Sequence, residues 1–132
     1  MIRTLYKALQ YSFVLMSCKW CTFLFRLSLK LNGVICGRNI KSMKSVTELV
    51  ISHNAKVVHI GDNVVFNNYT DQSWYCRCKL MVREGASLLI GNNVGMNGIL
   101  IFSSNSIQIG DNVMMGGVLV YMILTIIHLI TN

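Results

Sequence analysis

The chain changes its hydrophobic rhythm near residue 31. Before that point, apolar runs such as Phe13-Val14-Leu15-Met16 and Phe23-Leu24-Phe25 are broken only by isolated bases. After it, apolar and polar residues alternate in short runs, and several of these close on a Gly-polar-Asn step. Alternation of this kind puts one set of side chains inside a short strand and the other outside. The first rhythm predicts a helix over residues 1–30. The second predicts an all-β body over residues 31–121. Residues 122–132 form a hydrophobic tail outside the repeat.

The repeat is explicit. Val58-His59-Ile60-Gly61-Asp62-Asn63-Val64-Val65-Phe66 is one copy, Leu88-Leu89-Ile90-Gly91-Asn92-Asn93-Val94-Gly95-Met96 a second, and Ile107-Gln108-Ile109-Gly110-Asp111-Asn112-Val113-Met114-Met115 a third. Val34-Ile35-Cys36-Gly37-Arg38-Asn39-Ile40 is an earlier, degenerate copy. Ile60, Ile90 and Ile109 are expected to point inward and stack. Phe66, Met96 and Met115 are expected on the next side of a triangular coil. Gly and Asn are expected to turn the corner between, because both tolerate positive φ. Three such sides use about 18 residues, the hexapeptide form of a parallel β-helix. Ile90 and Ile109 are 19 residues apart, one coil. Ile60 and Ile90 are 30 apart, which predicts a coil plus a loop over about 68–79, polar and aromatic from Asn67 to Tyr75. An ordinary sheet with Gly-Asn hairpins is the competing reading, and three copies in one register weigh against it. The expected fold class is an all-β solenoid behind an N-terminal α-helix.

Charge changes the picture at the N-terminus. Residues 1–44 carry Arg3, Lys7, Lys19, Arg26, Lys30, Arg38, Lys41 and Lys44 with no acid, and the net charge of the chain is +7. Such a block favours anionic partners, a membrane surface or a nucleic acid. Its bases sit among apolar residues without exposed aromatic platforms for single strands, so no nucleic acid is expected. Trp20 with Lys19 and Arg26 beside apolar runs points to a helix in a bilayer interface. Those bases interrupt it too soon for a spanning helix of about 20 apolar residues. A helix packed on its own domain is the other reading. Hydrophobic residues make up 53% of the chain, which excludes a disordered polar segment.

The cysteines are five, Cys18, Cys21, Cys36, Cys76 and Cys78. Cys18-x-x-Cys21 falls in the apolar helix, so no metal is expected, and free thiols of a reducing compartment are the default.

On these residues the chain resembles the hexapeptide-repeat acyltransferases, especially the bacterial O-acetyltransferases of sugars and surface polysaccharides. The resemblance covers roughly Leu31 to Tyr121 and rests on Ile-Gly-Asp-Asn-Val. It implies left-handed winding of the β-helix, an exception to the usual right-handed crossover. It also implies acetyl-CoA as acyl donor, a sugar or glycan acceptor, a homotrimer, and a place in the bacterial cytoplasm, peripheral on the inner face of the membrane. Substrate contacts are implied near Asn97, Ser103 and Ser104. A γ-class carbonic anhydrase on the same scaffold would need several interface histidines, and His53, His59 and His128 do not supply them.

The reaction needs a histidine to take the proton of the attacking hydroxyl. The resemblance places it in a Tyr-Asp-x-Asp-x-His segment, about 17 residues after the Ile of a preceding Ile-Gly-Asp-Asn. Counting from Ile109 reaches Ile126, and the pattern stops at Tyr121. His59 and His53 read as solvated, and His128 is close to the expected place with the wrong neighbours. No catalytic residue is therefore expected intact, with His128 the weak candidate. The genetic code offers a cause. Met122 is ATG and Ile123 begins AT, so a shifted frame reads GAT, an Asp, at that point. Tyr-Asp-Thr-Asp-Tyr-His-Ser is permitted directly after Val120, its His falling at position 126. The expectation is the N-terminal portion of an O-acetyltransferase, truncated and inactive. The alternative is a non-catalytic, membrane-associated β-helix module.

Overall fold

The computed structural model describes residues 2–68, 77–116, 120–123 and 127–129. Helix α1 spans Ile2–Leu31. Its end is a two-bond cap. Gly33, at φ +69°, donates its N–H to Lys30 O at 3.1 Å, and Val34 donates to Leu29 O at 3.0 Å. Gly33 is needed there because a left-handed residue must follow the last turn. Val34 and Leu29 are both buried in the main core, the apolar contact that accompanies this cap.

Short strands follow: β1 (Ile35–Cys36), β2 (Lys41–Met43), β3 (Glu48–Ile51), β4 (Val57–Ile60), β5 (Val65–Asn67), β6 (Lys79–Val82), β7 (Ser87–Ile90), β8 (Gly95–Asn97), β9 (Leu100–Ser103), β10 (Ser106–Ile109), β11 (Met114–Met115), β12 (Val120–Ile123) and β13 (Ile127–Leu129). Their order sorts them into three sheets, β1-β4-β7-β10-β13, β2-β5-β8-β11 and β3-β6-β9-β12. Within each sheet neighbours run parallel. The chain thus visits the three sheets in rotation, each return landing beside the strand of the previous circuit.

The expected register holds. Ile60 pairs with Ile90 and Ile90 with Ile109, all buried. Phe66 pairs with Met96 and Met96 with Met115 in the second sheet, also buried. Leu80 and Ile101 form the inner row of the third. Each buried aliphatic side chain contributes about 1.5–3 kcal/mol relative to exposure.

The corner chemistry differs from the expectation in its division of labour. The left-handed residues are Asn39, Asn63, Asn93 and Asn112, with φ of 56°, 56°, 55° and 58°. Their side chains form a ladder: Asn39 Nδ2 donates to Asn63 Oδ1 at 3.0 Å, Asn63 to Asn93 at 3.1 Å and Asn93 to Asn112 at 3.0 Å. Gly61 is needed for space instead. A Cβ there would sit 2.6 Å from Gly91 O of the next circuit.

At the edges of the expected loop over about 68–79, Asn68 is fully buried and Lys79 opens β6, each hydrogen-bonded in place. Residues 69–76, with Tyr69, Trp74 and Tyr75, lie outside the described residues.

The helix packs on the strands through its second half. Phe25 and Leu29 are fully buried in the main core, and Phe25 meets Phe66 edge-on with centroids 5.1 Å apart. Ser42 makes room, since it occupies in β2 the inward place that Phe66 takes in β5. Thr22 Oγ1 donates to Ser42 O and accepts from Ser42 N–H, each at 3.1 Å. Residues 3–16 are exposed throughout. At the other end, β12 and β13 continue the ladders of β9 and β10, so the described part of the expected tail pairs with the sheets of the repeat.

Candidate functional site

The expected contact residues do not converge. Asn97 ends β8 and is exposed. Ser103 is fully buried, and its Oγ donates to Ser87 O at 2.7 Å. That bond fastens β9 to β7 from inside, so Ser103 presents nothing to a ligand, contrary to the expectation. Ser104 is half-buried at the turn that follows. His128 takes the register position of Gln108, an outward place in β10, and its side chain lies outside the described residues. His59 is half-buried in β4, and His53 is exposed.

Asn97 does have one companion. It pairs in register with Asn67 of β5, and both line a groove of about 510 Å³ on the outer surface of the second sheet. Asn63 and Asn93 of the corner ladder form one rim, and Val65, Gly95 and Met114 contribute its floor and wall. Gly95 deepens the floor. A Cβ there would lie 2.5 Å from Met114 Sδ, because the thioether leans into the space glycine leaves. Asn67 Oδ1 is buried and has no hydrogen-bond partner. A buried carboxamide oxygen without a partner carries a desolvation cost of about 1–3 kcal/mol.

Chemically, the described lining of the groove offers hydrogen bonds to a neutral group. Carboxamides neither take nor give protons near neutral pH. Among the described residues that line it, none is titratable. A second cavity of about 580 Å³ lies where α1 ends, lined by Leu31, Gly33, His53, Lys56 and Val57 among others. It brings a histidine and a lysine to one opening.

Sequence reasoning missed a buried polar knot. Asn68 Nδ2 donates to Ser45 O at 2.9 Å, and lies 3.2 Å from Ser42 Oγ and from Thr47 Oγ1. Thr47 N–H donates to Ser42 Oγ at 3.0 Å. Asn68 Oδ1 accepts from Cys78 N–H at 2.7 Å. The only signal was Ser42 standing at an inward position otherwise filled by Phe or Met.

The cysteines of the helix have a packing role. Lys44, at φ 66°, donates its N–H to Cys18 Sγ at 3.4 Å, and Cys21 Sγ donates to Lys44 O at 3.8 Å. The pair brackets one residue of the β2–β3 turn, holding the peptide groups on either side of it. Cys18, Cys21, Cys36 and Cys78 are unbridged. Burial raises the Cys36 thiol above its ordinary pKa, opposed by the nearby charges of Arg26 and Lys30. No protein-family model matches the chain, and neither curated proteins nor solved structures yield a match.

Proposed function

We propose that the three sheets are the faces of a left-handed parallel β-helix of the hexapeptide-repeat type. On this reading the chain is the scaffold of an acetyl-CoA-dependent O-acetyltransferase, acting on a sugar hydroxyl of a surface polysaccharide or lipopolysaccharide. Its working state is a homotrimer in the bacterial cytoplasm. The observation that carries the reading is the repeat Ile-Gly-(Asp/Asn)-Asn-Val, laid in register over three successive circuits. The paired carboxamides of Asn67 and Asn97 suit an acceptor hydroxyl or a pantetheine amide.

The chain as it stands transfers no acetyl group. Ile126 holds the place of the expected base, and His128 falls at the outward register of Gln108. Without a positioned base, transfer to a hydroxyl loses about 10²–10⁴-fold. The test is thiol release from acetyl-CoA with glycan acceptors. The expected result is none above background, with His128→Ala unchanged. Replacing residues 121–127 by Tyr-Asp-Thr-Asp-Tyr-His-Ser, together with whatever the shifted frame encodes beyond it, should create turnover. Turnover of the present chain that depends on His128 would overturn the inactivity. Silence of the repaired chain would overturn acyl transfer.

A second reading, a non-catalytic membrane-associated module of the same coil, is favoured by the absence of titratable groups around the Asn67–Asn97 groove among the described residues. Silence of the repaired chain would leave this reading standing.

A further inference from the structure

Helix α1 carries two opposite faces, and the body uses only one of them. Cys18, Phe25 and Leu29 are buried against the strands. At 3.6 residues per turn, a second stripe runs along the opposite side: Leu9, Phe13, Met16, Trp20, Phe23 and Leu27. All six are exposed, Phe13 at 76%, Met16 at 71% and Trp20 at 63%. Trp20 and Phe23 stack on each other, with centroids 5.9 Å apart. By the same periodicity, Lys19, Arg26 and Lys30 flank this stripe along one edge, and all three are exposed. The helix contains no acid, and the first in the chain is Glu48.

We infer that this stripe binds an anionic lipid bilayer, with α1 lying in the plane of the membrane and the strand body held above it. Three observations select this partner and pose. A stripe rich in Trp, Phe, Leu and Met, edged by bases, matches the boundary between acyl chains and charged headgroups. By length and composition Arg3–Leu31 is apolar enough to cross a bilayer, but its charges and its packing oppose that pose. The charge-free run from Ala8 to Cys18 covers about 16 Å at ~1.5 Å per residue, half of a hydrocarbon core of about 30 Å. Phe25, Leu29 and Thr22 also fix the second half of the helix to the strands, so it cannot be threaded through without them.

A second copy of the helix is the other geometric candidate, because the stripe advances by four and three residues alternately, as a coiled-coil seam does. Its charges argue against that occupant. The flanking positions hold Lys19 and Arg26 with no acid to answer them, so paired copies would bring like charges together. An anionic surface answers all of them. This inference stands apart from the acyl-transfer reading.

The experiment is flotation of the full chain with vesicles of phosphatidylcholine alone, or with about a third phosphatidylglycerol. The expected result is binding to the anionic vesicles that weakens with salt. Phe13→Ser with Trp20→Ser should lower the partition coefficient by about tenfold or more, and Lys19→Glu with Arg26→Glu by about tenfold. Both pairs are exposed, so the β-type circular dichroism of the body should not change. In a Trp74→Phe background, Trp20 fluorescence should be quenched best by lipids brominated near the headgroup. Equal binding to neutral vesicles, binding indifferent to both variant pairs, or strongest quenching from the bilayer centre would each overturn the inference. So would self-association through the stripe without lipid binding.

Discussion

Asn68 Oδ1 accepts a hydrogen bond from Cys78 N–H at 2.7 Å, joining the two roots of the segment between β5 and β6. The same carboxamide donates into the Ser42–Ser45–Thr47 turn beneath it. One side chain therefore closes two connections that are distant in sequence.

Asn68→Ala should lower unfolding stability by about 2–4 kcal/mol, because it leaves several buried polar groups unmatched. Asn97→Ala, exposed in the groove, should stay within about 0.5 kcal/mol. Urea denaturation midpoints compare the two. Equal effects would mean that the knot is not the stabilising feature described.

Phe25→Ala should cost about 3–5 kcal/mol, as it empties the contact with Phe66 that closes this end of the core. Phe23→Ala, on the exposed side of the same helix, should change the midpoint by about 0.5 kcal/mol at most. The contrast tests which face of α1 belongs to the body.

Gly61→Ala and Gly85→Ala separate the two reasons for glycine. At Gly61 the new Cβ meets Gly91 backbone, and the stacking of circuits must open at a cost of about 1–3 kcal/mol. At Gly85 the space is open but φ is +70°, a strain of about 1–2 kcal/mol. Gly61→Ala should also loosen hydrogen-exchange protection across β4 and β7, and Gly85→Ala should not.

Asp62 holds its carboxyl below the ordinary range, first because the Arg38 backbone N–H donates to it, and also through the Arg38 guanidinium. A lowered folded-state pKa contributes stability that is present above the unfolded value and is lost as pH falls through the folded one. Asp62→Asn keeps an acceptor at the place where Asn92 serves the next circuit. It should flatten the acid side of the stability profile below about pH 4 while leaving neutral stability nearly unchanged. Thermal melts from pH 7 to pH 2 measure this. An unchanged acid slope would exclude Asp62 as a contributor.

The coding DNA should hold an open alternative frame from codon 122 onward, reading Asp at its first complete codon and continuing with Ile-Gly repeats. A stop codon immediately in that frame would end the frame-change reading.

The inward ladder of Ile60, Ile90 and Ile109 is legible in the sequence because strand alternation and repeat length act locally and recur. The sheets follow from that register. The corner residues are legible as a class but not in their roles. Both Gly and Asn tolerate positive φ, and only the stacked geometry shows that Asn63 uses it while Gly61 is squeezed by Gly91. The polar knot around Asn68 is not legible, since Ser42, Thr47 and Asn68 are ordinary residues until the fold buries them together. Ser103 shows the same limit from the other side. A serine near a turn reads as a surface group, and alternation along β9 alone puts it inside.

The asparagine ladder fixes where successive circuits meet but not how much chain lies between its rungs. Those intervals are 24, 30 and 19 residues. Length variation is therefore a property of the spacers, and the rungs are indifferent to it. Where the interval is longest, the Asn68–Cys78 clasp ties the two roots of the extra chain together, so the circuit closes on the same register as its shorter neighbours.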